Sequence, residues 1–447
     1  MDEIFSSLGL NAGYETTGKG NLPSRYQVTN LATAAYGAVG QAMAELVVQL
    51  GLTNEAPAVQ VNRVLASRWY GYSIQPVGWE LPPIWDAVAG DYPCKDGWVR
   101  LHTNLPHHRK AALSVLNAAP KREAVAQALM SWRKEELETA IARAGGVAAA
   151  MRSAAEWAAH PQGQAVAAEP LVNWLSPRIS APKNWDATLE RPLNGLKVLD
   201  LTRVLAGPVA TRTLAGFGAE VLRIDPPDWD EANVIPDVTL GKRCAHLNLG
   251  QPDDRARFEA LLSEADILVH GYRDGALKGL GYGLAARQAL APDLIEVSLN
   301  AYGFAGPWAE RRGFDSLVQM ASGIADAGKH WAGADQPTPL PVQALDHATG
   351  YLMAAAALRI LAEAATGAGV RNAQLSLART AVLLTGYLQE ETGTLAVQPD
   401  ANDYNDDFEH TPWGKARRLK PALSVAGIPM KWQLAANALG SSAPEWR

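Results

Sequence analysis

LKVLDLTRVLAGPVATRTLAGFGAEVLRID, residues 196–225, decides the fold class. Its first six residues form a short, mostly apolar run, the pattern of a strand covered on both faces of a parallel sheet. Residues 204–219 carry helical spacing and 220–225 return to an apolar run, so the stretch predicts one βαβ unit. The alternation continues downstream, with a helix at 253–264, a strand at 266–272, and another helix leading to a strand at 293–303. Strands alternating with helices imply a doubly wound, Rossmann-like α/β domain. The fingerprint GxGxxG is absent, because AGFGAE (215–220) falls at a helix end, where glycine serves as a cap.

Upstream the texture differs. Residues 30–50 predict one alanine-rich helix stopped at Gly51, and 58–69 begin with alternation and turn helical. Pro76, Pro82 and Pro83 then break the pattern, CKDG (94–97) marks a tight turn before a strand at 98–102, and helical segments fill 109–158. WLSPRISAPKNW (174–185) has the proline content of a linker. Past the βαβ region a second alanine-rich helix spans 345–365, followed by a strand-to-helix passage over 373–384. Sliding the chain by 314 residues superimposes Leu31/Leu345, Ala34/Ala348, Ala42/Ala356 and Gln60/Gln374 with the same helix–strand–helix order, which predicts an internal partial repeat.

Composition removes several classes. The 447 residues carry 40 basic and 46 acidic side chains, a net charge of −6, with 48% hydrophobic and 19% charged residues. A pI near 5.9 without a basic block gives no footprint for a phosphate backbone, so no nucleic-acid partner is expected. Two distant cysteines, Cys94 and Cys244, rule out a disulfide scaffold and make a metal site an unsupported reading. No basic-then-apolar leader and no apolar run near 18 residues are evident; no membrane span and a cytoplasmic home are expected.

Asp346 opens the second alanine-rich helix. Its plain reading is an N-cap; its functional reading is a nucleophile, since Ala348 and Gly350 leave room for a ligand. The turn LDLTRVLAGP joins Asp200 to a helix through Arg203, Gly207 and Pro208 and can bring backbone N–H groups to an anion. Arg203, Arg223, Lys242, Arg243 and Arg273 lie near predicted carboxyl ends of strands, where they could face a diphosphate or remain solvated. The nine histidines show no Ser-His-Asp order or HExxH spacing; His107 and His108 are expected in a loop, and His347 on the surface of a helix first turn. Fourteen tryptophans against six phenylalanines suggest packing between domains or subunits.

Taken in order, the βαβ stretch extended to PP, then GKRCAHLNL, ADILVHGYRDGALKGLG, PDLIEVSLNAYGFAGPWAERRGFDSLVQMASG and PVQALDHATGYLMAAAAL resemble the class III CoA-transferase family, which includes formyl-CoA and carnitine CoA-transferases and alpha-methylacyl-CoA racemase. The resemblance implies that Asp346 in ALDHATG is the catalytic aspartate. It also implies that Val204, Ala206, Arg223, Asp225, Lys242, Arg243, Tyr272 and Arg273 match segments lining the CoA site. An acyl-CoA and a small carboxylic acid would be the substrates, with no permanently bound cofactor and an interlocked homodimer as the assembly.

The chain departs from that family in its order. Residues 91–171 look like the family's small domain yet precede the catalytic aspartate, so the chain resembles a permuted or partly duplicated member. The expected organisation is a partial repeat (1–75), a small α+β domain (76–175), a linker (176–192), a large CoA-binding domain (193–390) and a C-terminal segment returning to it (391–447). In the first copy the 314-residue offset puts Ala32 opposite Asp346. Racemases of the family carry a histidine where this chain has Phe314, which cannot transfer protons, and the glycine run of formyl-CoA transferase has no counterpart in PVGWELPPIWDAV. An acyl-CoA:carboxylate transferase is therefore expected; an intramolecular CoA isomerase and a non-catalytic CoA-binding subunit are the alternatives.

Overall fold

The computed structural model describes residues 1–180, 183–390 and 393–447, so two linker residues (181 and 182) and the first two of the C-terminal segment (391 and 392) lie outside it. Its centre is a seven-stranded sheet: β1 (Asn173–Trp174), β2 (Lys197–Leu201), β3 (Glu220–Asp225), β4 (Lys242–His246), β5 (Ile267–His270), β6 (Ile295–Asn300) and β7 (Ala373–Ser376). The spatial order is β4-β3-β2-β5-β6-β7-β1, all parallel except β1. Both faces are covered, which explains the apolar runs. Val198, Val221, Val269 and Val297 enter the main core, while Leu199, Leu222 and Leu268 point the other way into a cluster with Phe258, Leu261 and Leu262. The mixed α/β architecture is thus the expected one. The proline-rich stretch is only partly a linker, because Asn173–Trp174 pairs antiparallel with β7.

The strand order reverses between β2 and β5, and in such sheets ligands bind in the crevice beyond the carboxyl ends at that reversal. Three helices matter most around it: α1 (Val28–Gln49), α2 (Ala206–Gly216) and α3 (Ala344–Ala365). α3 runs against α2 so closely that a Cβ on Gly350 would stand 2.3 Å from the Ala206 carbonyl oxygen. The space beside Gly350, expected to receive a ligand, is filled by α2. α1 packs along α3, with Tyr36 and Tyr351 in hydroxyl contact and ring centroids 4.1 Å apart. By length and composition both α1 and α3 could cross a membrane, against the expectation of no such run, and 83% of each apolar window is buried inside the protein.

The two stretches compared in the expected repeat share a local arrangement. Both helices follow a glutamine N-cap of similar conformation, Gln27 (φ −74°, ψ 60°) and Gln343 (φ −75°, ψ 65°), and each leads to a short strand and a further helix. The helix starts are offset by 344 − 28 = 316 residues and the strands by 373 − 59 = 314. Aligned on its helix start, Asp346 therefore faces Asn30 rather than Ala32. Asn30 is engaged, donating to Gln27 and accepting from Arg63 at 2.9 Å.

A separate three-stranded antiparallel sheet (Gly90–Cys94, Gly97–Leu101, Ala148–Ala150) has its own core around Tyr92, Val99, Leu129 and Ile141. The segment leaving its central strand, from His102 to His108, reaches over the reversal point.

Candidate active site

Asp346 is the third residue of α3, and its carboxylate caps nothing; the N-cap is Gln343 and no side chain caps the helix. The N–H of Asp346 instead donates to Asp315 Oδ2 at 2.9 Å. Asp315 opens the helix Asp315–Ala321 and also accepts from the Gln319 amide, whose own oxygen takes the Leu340 N–H at 2.7 Å. So Asp315 and Gln319 lock the approach to α3, and Asp346 is left with no hydrogen bond to its carboxylate among the described residues. It retains 8% exposure and lines two cavities.

Burial first, and the neighbouring Asp315 second, push the Asp346 carboxyl well above the usual carboxylate range. Asp315 is also raised, to about 6, chiefly by burial. The bonds from the Asp346 and Leu345 N–H groups and from Gln319 favour an ionised Asp315, so of the two carboxyls Asp346 is held more strongly in its protonated form.

Asp346 stands where two cavities meet. One, of about 340 Å³, lies at the strand-order reversal and is lined by the segments after β2 (Arg203, Val204, Ala206), after β5 (Tyr272, Arg273) and after β6 (Arg311, Arg312). The other, of about 710 Å³, lies on the side of His102, Tyr70 and Leu340. Leu105, Val204, Leu205, Phe314 and Asp346 border both.

The turn after β2 is built tightly. Asp200 accepts from Thr202 N at 2.9 Å and Thr211 Oγ1 at 2.6 Å, and a Cβ on Gly207 would come within 2.3 Å of Thr202. Val204 adopts φ 63°, a left-handed conformation costly for a β-branched residue, held by its N–H bond to Glu231 Oε2 at 2.9 Å. Strain of this kind clusters at ligand sites. Arg203 lies 3.9 Å over the Trp229 ring and donates to the Tyr272 hydroxyl at 2.8 Å.

Of the nine residues expected at a CoA site, Arg203, Val204, Ala206, Tyr272 and Arg273 line the smaller cavity. Arg223, Asp225, Lys242 and Arg243 do not. Arg223 is fully buried and forks onto Asp225 at 2.7 and 3.1 Å. Lys242, also fully buried, donates to Asp200 Oδ2 and the Pro208 carbonyl, both at 2.9 Å. Arg243 bonds Glu220 and the carbonyls of Ala443 and Glu445. The reason is strand position: Lys242 and Arg243 begin β4 and Arg223 sits within β3, whereas the cavity collects residues beyond carboxyl ends.

Arg311 and Arg312 were missed, although they follow β6 and the same rule would have found them. Trp308 stacks under Arg311 at 4.0 Å, and Arg312 donates to the Gly145 carbonyl. His107 and His108, expected in a loop, occupy the first turn of the helix Pro106–Leu116 and line the smaller cavity. His347 is buried rather than at the surface; it stacks on Tyr70 at 5.0 Å, and burial pushes it down to about 3. Phe314 stacks on His102 at 4.0 Å.

Residues 193–414 match the profile of CoA-transferase family III. Similar proteins include an acetyl-coenzyme A transferase (nodX) of Hypoxylon pulicicidum, 33% identical over 238 residues covering 50% of this chain and 40% of that protein. The human succinyl-CoA:glutarate CoA-transferase is 32% identical over 196 residues, 40% of this chain and 44% of its own length. The formyl-CoA:oxalate CoA-transferase of Escherichia coli is 31% identical over 229 residues, 45% and 54%. A crystal structure of a CAIB/BAIF family protein from Brucella suis aligns with a TM-score of 0.39 at 28% identity over 44% of this chain and 56% of that one. The chain spans about half the length of the curated relatives it matches. The matched residues 193–414 hold β2 to β7 and Asp346, so the half of the chain that builds the sheet and carries this carboxylate is the part that matches CoA-transferase family III.

Proposed function

We propose that the chain is an acyl-CoA:carboxylate CoA-transferase with Asp346 as covalent nucleophile. The observation that carries this reading is a carboxylate without a hydrogen-bond partner, at the junction of a cleft rich in arginine and a larger chamber. Arg203, Arg273, Arg311 and Arg312 are the cations available to the phosphates of CoA in the smaller cavity. The thioester would then reach Asp346 with its acyl group toward the chamber.

A carboxylate oxygen of Asp346 attacks the thioester carbonyl, the C–S bond breaks and CoA leaves as thiolate, giving a mixed anhydride. The thiolate attacks the aspartyl carbonyl, expels the donor acid as its carboxylate and leaves an aspartyl-CoA thioester. The acceptor carboxylate repeats the two attacks in reverse, regenerating Asp346 and a new acyl-CoA. Once Asp346 is ionised, each step exchanges a carboxylate against a thiolate, so no proton moves within the exchange itself. This suits a site in which Phe314 lies where a proton donor would be required for racemisation.

The low-dielectric setting raises the energy of an ionised Asp346 and so favours its attack once substrate excludes water. The smaller cavity is bordered by Leu105, His107, His108 and residues between 201 and 377, and the larger also by residues between 68 and 104 and between 397 and 404. Incubation with an acyl-CoA followed by hydroxylamine tests it. Asp346 should be converted to its hydroxamate, and Asp346→Ala should lose exchange entirely; unchanged exchange in that variant rejects the nucleophile.

A further inference from the structure

The chamber beyond Asp346 carries information about the acid. Its 710 Å³ is twice the volume of the nucleotide-side cleft and falls within the roughly 300–1,000 Å³ typical of pockets for drug-sized molecules. Its walls are rich in apolar and aromatic side chains, among them Tyr70, Tyr72 and Trp85 on one side, Leu340 and Val342 ahead of α3, and Val397 from the C-terminal segment.

Its charges are equally informative. Arg68 and Arg100 are the only lysine or arginine side chains on the wall among the described residues. Arg68 is 2% exposed and held by Asp400, Asp403 and the carbonyls of Ala396 and Gln398. Arg100 donates from one nitrogen, Nη1, to both oxygens of Asp91, at 2.9 and 3.0 Å, its Nε has no hydrogen-bond partner, and its guanidinium lies 4.6 Å over Trp85. His102 and His347 are buried, and burial holds both neutral. Asp230, Glu231 and Asp237 add negative charge to the wall; the last two are committed to Arg223 and to Arg212 and Arg418, while Asp230 is exposed. A second carboxylate carried into this space would lose its hydration and meet only cations already paired, Arg100 with Asp91 and Arg68 with Asp400 and Asp403.

We propose that the chamber receives the acyl group and the acceptor, and that the acid exchanged is a monocarboxylate with a bulky apolar body rather than a dicarboxylate. This rests on the transferase reading above, but it is tested separately from it. Free acids titrated into the purified protein report on the chamber through the fluorescence of Trp85, taken as the difference between wild type and Trp85→Phe. Octanoate and phenylacetate should quench that difference signal saturably, and glutarate and oxalate at the same concentrations should not. Saturation by glutarate or oxalate at lower concentration than octanoate, or no response to octanoate, overturns the proposal whether or not the protein turns over.

Exchange assays then add selectivity. With octanoyl-CoA, benzoyl-CoA and succinyl-CoA as donors, kcat/KM should be at least about tenfold higher for the first two, and Val342→Phe should lower the octanoate-to-propionate ratio by a similar factor. Preference for succinyl-CoA, or a ratio unmoved by Val342→Phe, contradicts the assignment. Absence of exchange with every donor contradicts the transferase reading instead, and the fluorescence titration still decides the chamber.

Discussion

Lys242→Met separates two roles for a lysine that its sequence neighbourhood assigns to CoA. In the structure its ammonium is fully buried between Asp200 Oδ2 and the Pro208 carbonyl. Methionine keeps the stem and removes the charge, which leaves Asp200 buried with two threonine hydroxyls and no cation. Removing one partner of a buried pair costs about 3–5 kcal/mol. At about 2.1 cal/mol/K of unfolding entropy per residue, 447 residues give about 0.9 kcal/mol/K, so Tm should drop by about 3 to 5 °C. Differential scanning calorimetry reads that shift. A titration of CoA in the same variant should move less than in Arg312→Met, where the lost cation borders the cleft and the fold does not depend on it. If Lys242→Met melts within about 1 °C of wild type and loses CoA affinity tenfold, the strut assignment is wrong and the ammonium reaches ligand.

Exchange should rise with pH through an apparent pKa above the ordinary carboxylate range, because attack needs ionised Asp346 and that ionised form is lost as pH falls through the raised value. Asp315→Asn keeps an acceptor for the Asp346 N–H and removes the repelling charge, so the acid limb of the kcat/KM profile should move to lower pH; an unmoved limb would break the link between the two carboxyls. In Asp200→Asn, Lys242 loses its partner while its burial remains, so its pKa is pushed further down. The unfolded chain then binds more protons below the ordinary lysine value of 10.5, and stability, followed by urea denaturation, should climb with pH in the alkaline range more steeply than in wild type. Gly350→Ala forces a methyl against the Ala206 carbonyl, and the overpacking should cost about 1–3 kcal/mol and lower exchange together, since α2 carries the cleft wall and α3 the nucleophile.

The sheet was legible in the sequence because strands covered on both faces are mostly apolar, a signal that survives in LKVLDL although it holds Lys197 and Asp200. Asp346 was legible through the block ALDHATG, yet its environment was not. Nothing in the spacing tells that Asp315, 31 residues upstream, takes the N–H an N-cap would take. The cations divided by strand end. Arg203 and Arg273 lie past carboxyl ends and border the cleft, while Lys242 and Arg243 open β4 and turn inward or to the C-terminal tail. A boundary shifted by a few residues reverses that assignment. The small residues of α3 read as space for a ligand, but they serve close helix packing, which needs a partner helix that only the fold supplies.

The central claim is that Asp346 becomes acylated, and intact-protein mass spectrometry tests it most directly. After brief incubation with octanoyl-CoA and rapid acid quench, the account predicts a mass increase matching an octanoyl or CoA adduct, mapped by peptide digestion to Asp346 and missing from Asp346→Asn. An adduct on another residue, or exchange proceeding while Asp346 stays unmodified under trapping, would contradict it.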